Sequence, residues 1–124
     1  MQIYMTREFS KWARTNLVSY HDLVLVCFEI GSGLVEADLG GYLKKKRISL
    51  GSRGKRGGGR VLVCFKREQL CIFIYGYCKN ELENLSTNEI NAFKAISKAL
   101  AQFSNKERTE REQEGSLIRV KYEK

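Results

Sequence analysis

The chain has 124 residues, of which 43% are hydrophobic and 29% charged. These are near-globular proportions, and no apolar run approaches the ~18 residues that a membrane span requires, so wholesale disorder and a spanning helix are both excluded. One domain, residues 1–124, is expected at this length. Lys and Arg number 22 against 14 acidic residues, a formal charge of +8 that favours anionic partners.

The stretch Met1 to Glu8 lacks the apolar core and small-residue cleavage site of a secretory signal, which makes the cytoplasm the expected compartment. Thr6 to Arg14 places Phe9, Trp12 and Ala13 at helical spacing and predicts a short amphipathic helix. Ser19 followed by Asp22 reads as a helix start, and Leu23 to Ile30 then runs to Gly31 and Gly33. Leu-Val-Leu-Val-Cys-Phe is rich in strand formers, yet the cap before it and the glycines after it favour a buried helix.

From Tyr42 the period changes to two: Tyr42, Ile48 and Leu50 fall on one face, expected to meet the core, and Lys45 and Arg47 on the other. Gly51 to Gly59, with five glycines and three bases, predicts a cationic loop. Strands fit Arg60 to Arg67 and Leu70 to Cys78, joined across Glu68-Gln69 as an antiparallel hairpin. Ser86 and Glu89 form a capping box ahead of Ile90, Phe93, Ile96, Leu100 and Phe103, a second amphipathic helix pattern. Asn105 to Glu114 reads as the frayed end of that helix or a solvated connection, and Leu117, Ile118 and Val120 as a short last strand. The expected class is α+β, with helices on one face of a small sheet.

Charge is unevenly placed. Between Tyr42 and Arg67 stand ten basic residues (Lys44, Lys45, Lys46, Arg47, Arg53, Lys55, Arg56, Arg60, Lys66, Arg67) and no acid, so this segment carries +10 and the remainder −2. Like charges repel, and a segment that tolerates this is expected to meet phosphate. The four cysteines, Cys27, Cys64, Cys71 and Cys78, lie in apolar runs without C-x-x-C spacing, and the lone His21 reads as structural. Reduced thiols packed as small hydrophobes are expected, with no metal or other cofactor. Gly54-Lys55 is followed by Arg56, and Ser49 stands where a P-loop would need glycine. No G-x-S-x-G or nucleophile–base pair is visible, so any chemistry falls to Lys, Arg, Tyr or Glu.

Several separated blocks carry a resemblance: Ala37-Asp38-Leu39-Gly40-Gly41, Lys45-Lys46-Arg47-Ile48, Gly54-Lys55-Arg56-Gly57-Gly58 with Arg60, Phe73-Ile74-Tyr75-Gly76, and Lys79-Asn80-Glu81. In order and spacing, from about Phe9 to Val120, the chain resembles a RelE/HigB-type toxin of bacterial type II toxin-antitoxin systems, within the RelE/ParE superfamily. The resemblance implies a microbial RNase-like fold, with two N-terminal helices and a C-terminal helix packed on a small antiparallel sheet. It further implies metal-independent cleavage of mRNA on the ribosome and neutralisation by a cognate antitoxin. By the same analogy the antitoxin is a helix-turn-helix DNA-binding protein, and promoter DNA is contacted only through the complex. Two departures stand out: Gly59 replaces an aromatic residue that members often carry before the arginine, and a tyrosine expected after the K-x-E block is absent, with Leu85 in that region.

Metal-free RNA cleavage requires deprotonation of a 2′-hydroxyl, stabilisation of the phosphorane and protonation of the departing 5′-oxygen. Lys45, crowded by cations, is the expected base, because like charge disfavours its protonated form. Arg47 and Arg60 are expected to clamp the phosphate and Lys79 to act as acid or charge stabiliser. Glu81 either orients Lys79 or a ribose hydroxyl, or forms a structural ion pair. Tyr75 and Tyr77 are candidates for stacking a splayed base or for ordinary sheet packing. Arg53, Lys55 and Arg56 are expected to contact RNA without taking part in chemistry. Lys44 and Lys46 are grouped with them, the alternative being stems that snorkel from a core-facing strand. The competing functions are a non-catalytic nucleic-acid-binding module and a gyrase-targeting toxin of the ParE type.

Overall fold

The structure is a computed structural model that describes residues 1–50, 58–79 and 84–122. The elements are β1 (Gln2–Thr6), α1 (Arg7–Thr15), α2 (Tyr20–Gly31), β2 (Ala37–Gly40), β3 (Leu43–Ile48), β4 (Gly59–Lys66), β5 (Leu70–Cys78), α3 (Thr87–Gln102), α4 (Asn105–Glu114) and β6 (Leu117–Arg119). The strands form one sheet in the order β2-β3-β4-β5-β1-β6. The β4–β5 hairpin turns at Glu68, which takes a positive φ of 64°.

Local signals start the helices. Thr6 caps α1, its hydroxyl accepting from Phe9 N–H at 3.2 Å and donating to Ile74 O at 3.1 Å, so the cap also ties the helix to β5. A full capping box of Ser19 and Asp22 opens α2, and Leu23, Val26, Cys27 and Ile30 form its buried stripe. The cap and the 3.6-residue period therefore prevail over the strand-forming composition of this run.

Both faces of the sheet are covered. Under α1 and α2 lie Ile3, Met5, Phe9, Leu23, Ile48, Val61, Val63 and Phe73; on the α3 side lie Tyr4, Leu43, Leu62, Cys64, Ile72, Ile74 and Leu100. This corrects the expectation of helices on one face. It also explains why β4 and β5 read as nearly unbroken apolar runs: each alternate set of side chains has its own core to enter.

Three further corrections follow from the same architecture. The sheet is mixed and not purely antiparallel, because β1, unseen in the sequence, runs parallel to β5 with Gln2 opposite Leu70. Tyr42 is exposed while Leu43 is buried. Gly40, Gly41 and Tyr42 all have positive φ in the β2–β3 turn, so the alternation begins only at Leu43, whose side of the strand meets the α3 core. Ile48 and Leu50 are buried as expected. Finally, Asn105–Glu114 is a separate helix with its own Ser104–Glu107 capping box, closed by Gly115 in the left-handed conformation. In α3 the buried positions are Ser97, Leu100 and Ala101, and Ile96 of the expected stripe is exposed.

None of the four cysteines is in a disulfide, and all are buried. The Cys27 and Cys71 thiols meet across the α2–β5 contact at 2.6 Å, and burial, with Cys27 beside it, pushes the Cys71 thiol well above the usual range.

Trp12 of α1 closes one end of the core. A Cβ added to Gly76 would lie 2.3 Å from its indole, and one added to Gly59 would lie 3.3 Å away. The missing side chain at Gly59 is thus space that Trp12 fills. Gly76→Ala is expected to cost about 1–3 kcal/mol through overpacking, read from the midpoint of urea unfolding. Ser104→Ala is expected to cost about 1 kcal/mol by removing the α4 cap, seen in the same assay.

Candidate functional site

Opposed residues of antiparallel strands share a face, and the register collects several of the predicted site residues at one end of the sheet. Arg47 of β3 is opposite Arg60 of β4, and Arg60 is opposite Tyr77 of β5. One step along, Lys45 is opposite Leu62, which is opposite Tyr75. Leu62 belongs to the α3-side core, so this whole array faces the α3 side. The helix covers it as far as Tyr75, whose ring stacks on Phe93 with centroids 4.8 Å apart. Lys79 follows β5 in the same parity as Tyr75 and Tyr77, exposed, with its N–H donating to Gly58 O at 3.1 Å.

Arg60 is only 6% exposed. Its Nε donates to both carboxylate oxygens of Glu36, at 2.9 and 2.8 Å, and its Nη1 to Gly59 O at 3.2 Å. Glu36 Oε2 also lies 3.9 Å from Lys45 Nζ. A carboxylate thus stands between the cations of two neighbouring strands, where the sequence reading expected cations alone around Lys45. Glu36 is the residue that reading missed. The available signal was the Gly40-Gly41 turn: read as a hairpin, it brings the segment before Ala37 alongside Lys45.

Arg47 is exposed on the part of β3 beyond its last pairing with β2 at Lys45. It lines, with Arg60, Lys46, Leu25 and Glu29, an open cleft of ≈ 310 Å³ beside α2. Lys44 and Lys46 have the opposite parity and are ion-paired: Lys44 to Asp38 at 2.7 Å and Lys46 to Glu29 of α2 at 3.3 Å. The Lys44 hydrogen bond holds the Asp38 carboxyl below the usual carboxylate range. By strand parity these two lysines differ from Lys45, Arg47 and Arg60, although Lys46 shares the cleft beside α2 with Arg47 and Arg60. Arg53, Lys55, Arg56 and Glu81 lie outside the described residues.

Of the two aromatics, Tyr75 is half-buried against Phe93 and Tyr77 is 4% exposed. The Tyr77 hydroxyl has no hydrogen-bond partner among the described residues. Tyr77 is thus enclosed, while Tyr75 is partly exposed with Phe93 stacked on one face. Among the described residues, no three His, Cys, Asp or Glu side chains gather as metal ligands, and no helix is long and apolar enough to cross a membrane.

A family model for the RelE toxin of the RelE / RelB toxin-antitoxin system matches residues 1–120. The chain belongs to this family. A comparison with curated proteins gives no match. Membership of the RelE family, whose toxins are generally endoribonucleases, makes the protein a toxin of a toxin-antitoxin system and implies an antitoxin partner.

Because a buried hydroxyl without a partner is destabilising, Tyr77→Phe is expected to leave the fold intact and raise its stability by up to about 1 kcal/mol, measured by urea unfolding.

Proposed function

We propose that the protein is a metal-independent endoribonuclease that cuts mRNA in the ribosomal decoding site, arrests growth and is silenced by its antitoxin. The observation that carries this reading is the register that brings Lys45, Arg47 and Arg60 onto one face, beside the exposed Lys79. In the proposed reaction Lys45 Nζ takes the proton of the 2′-hydroxyl, whose oxygen attacks the adjacent phosphorus. Arg60 and Arg47 neutralise the charge that builds on the phosphorane oxygens. Lys79 gives a proton to the departing 5′-oxygen, leaving a 2′,3′-cyclic phosphate and a free 5′-hydroxyl. Arg53, Lys55 and Arg56 serve docking on ribosomal RNA, with Glu81 orienting Lys79 or a ribose hydroxyl. The antitoxin is proposed to be a helix-turn-helix protein that carries the pair to its own promoter.

The burial of Tyr77 favours recognition through the sugar-phosphate backbone over base stacking. It is also the observation that keeps a second reading in play, a module that binds nucleic acid through phosphate contacts without cutting it. Primer extension on mRNA from induced cells separates the two. Discrete in-frame cuts are expected; arrested growth with intact transcripts would overturn the nuclease reading and point to another target such as gyrase.

Arg60→Ala and Lys79→Ala are each expected to relieve toxicity while antitoxin binding persists, with circular dichroism confirming the fold; persistent toxicity in both would show the site to be misplaced. Ribosome or RNA binding is expected to fall steeply with salt, with a log-log slope of roughly −3.5 if about five phosphates are neutralised on a single strand. A flat response would mean that the basic segment meets no anion.

A further inference from the structure

We propose that Glu36 is a positioning residue, which fixes the Arg60 guanidinium so that its unused N–H groups are presented to the phosphate; this rests on the nuclease reading of the same site. A guanidinium has five N–H donors. Among the described residues, Glu36 takes the Nε donor through both carboxylate oxygens, and Gly59 O takes one Nη1 donor. The Nη2 end remains for a ligand, held in a fixed direction by the contacts at the other end.

The carboxylate is itself anchored. Glu36 N–H donates to Lys45 O at 2.8 Å, so the residue is tied to the strand that supplies Lys45, while its side chain reaches across to Arg60 of the next strand. Its 3.9 Å approach to Lys45 Nζ makes one carboxylate the common neighbour of both cations. By charge alone, an acid here opposes the binding of phosphate. A group placed to orient the arginine instead contributes to the rate, because an arginine already immobilised loses less freedom when the transition state forms. Orientation and electrostatic opposition therefore predict opposite results on removing the carboxylate, which makes the role testable.

The experiment compares wild type, Glu36→Ala and Glu36→Asp on ribosomes programmed with a short defined mRNA, measuring single-turnover cleavage and ribosome affinity separately. Glu36→Ala is expected to slow cleavage by about a hundredfold while affinity stays within about threefold, the magnitude typical of a misplaced catalytic group, and Glu36→Asp is expected to restore part of the rate. Unchanged or faster cleavage with tighter binding would overturn the proposal, since the carboxylate would then only oppose the substrate. A fall in rate matched by equal losses of affinity and melting temperature would also overturn it, as the signature of a merely structural ion pair. In parallel, NMR of the Arg60 Nε–H is expected to show slow solvent exchange in wild type and fast exchange in Glu36→Ala; equal exchange in the two overturns the inference. If wild type leaves the mRNA intact, the nuclease reading fails by itself. The exchange comparison then decides Glu36: slow exchange lost on substitution retains it as the group that fixes Arg60, and no difference removes it.

Discussion

A charged side chain has to be accommodated in a strand that helices cover on both faces. β4 is such a strand, buried from Gly59 to Phe65, and an arginine within it is tolerable only with a counter-charge and hydrogen bonds, since an unpaired buried ion is strongly destabilising. Glu36 meets that need for Arg60 from the segment entering β2. The rest of the site is arranged around this pair: Arg47 opposite Arg60 on one side, Tyr77 on the other, and Lys45 within reach of the same carboxylate.

The opposite face supplies rigidity to this arrangement. Trp12 lies against Gly59 and Gly76, the neighbours in sequence of Arg60 and Tyr77. Because successive residues of a strand point to opposite faces, each glycine that admits the indole on one side sits directly beside Arg60 or Tyr77 on the other. Packing under α1 and placement of the cations on the α3 side are thus two results of one alternation. Thr6 adds to this by capping α1 and bonding to β5 through the same hydroxyl.

The basic segment is divided by that alternation. Among the described residues, the like charges of this segment do not all point the same way. Lys44 and Lys46 turn to the α1/α2 side and are neutralised by Asp38 and Glu29, whereas Lys45 and Arg47 turn to the α3 side. Pairing two of the lysines with acids lowers the repulsion that the segment would otherwise carry. The scarcity of acids near the segment made the anion preference visible; the few acids that do approach it decide which cations remain available.

The sequence alone determined the parts of this protein that depend on local physics. Helix starts at Ser19 and Ser86 follow from hydroxyl and carboxylate spacing, the β4–β5 hairpin from two apolar runs and a polar turn, and the separation of Lys45 and Arg47 from their neighbours from the two-residue period. The family, too, was legible in the order of the blocks from Ala37 to Glu81. What depends on distant partners was decided only by the tertiary structure. β1 is a strand because β5 and β6 flank it; Tyr42 leaves the core because a left-handed turn resets the alternation; Glu36 lies on Arg60 because β2 folds back along β3. Each of these brings together residues whose interaction has no local signature, since a hydrogen bond between positions 36 and 60 depends on the path of the chain between them and not on the residues at its ends.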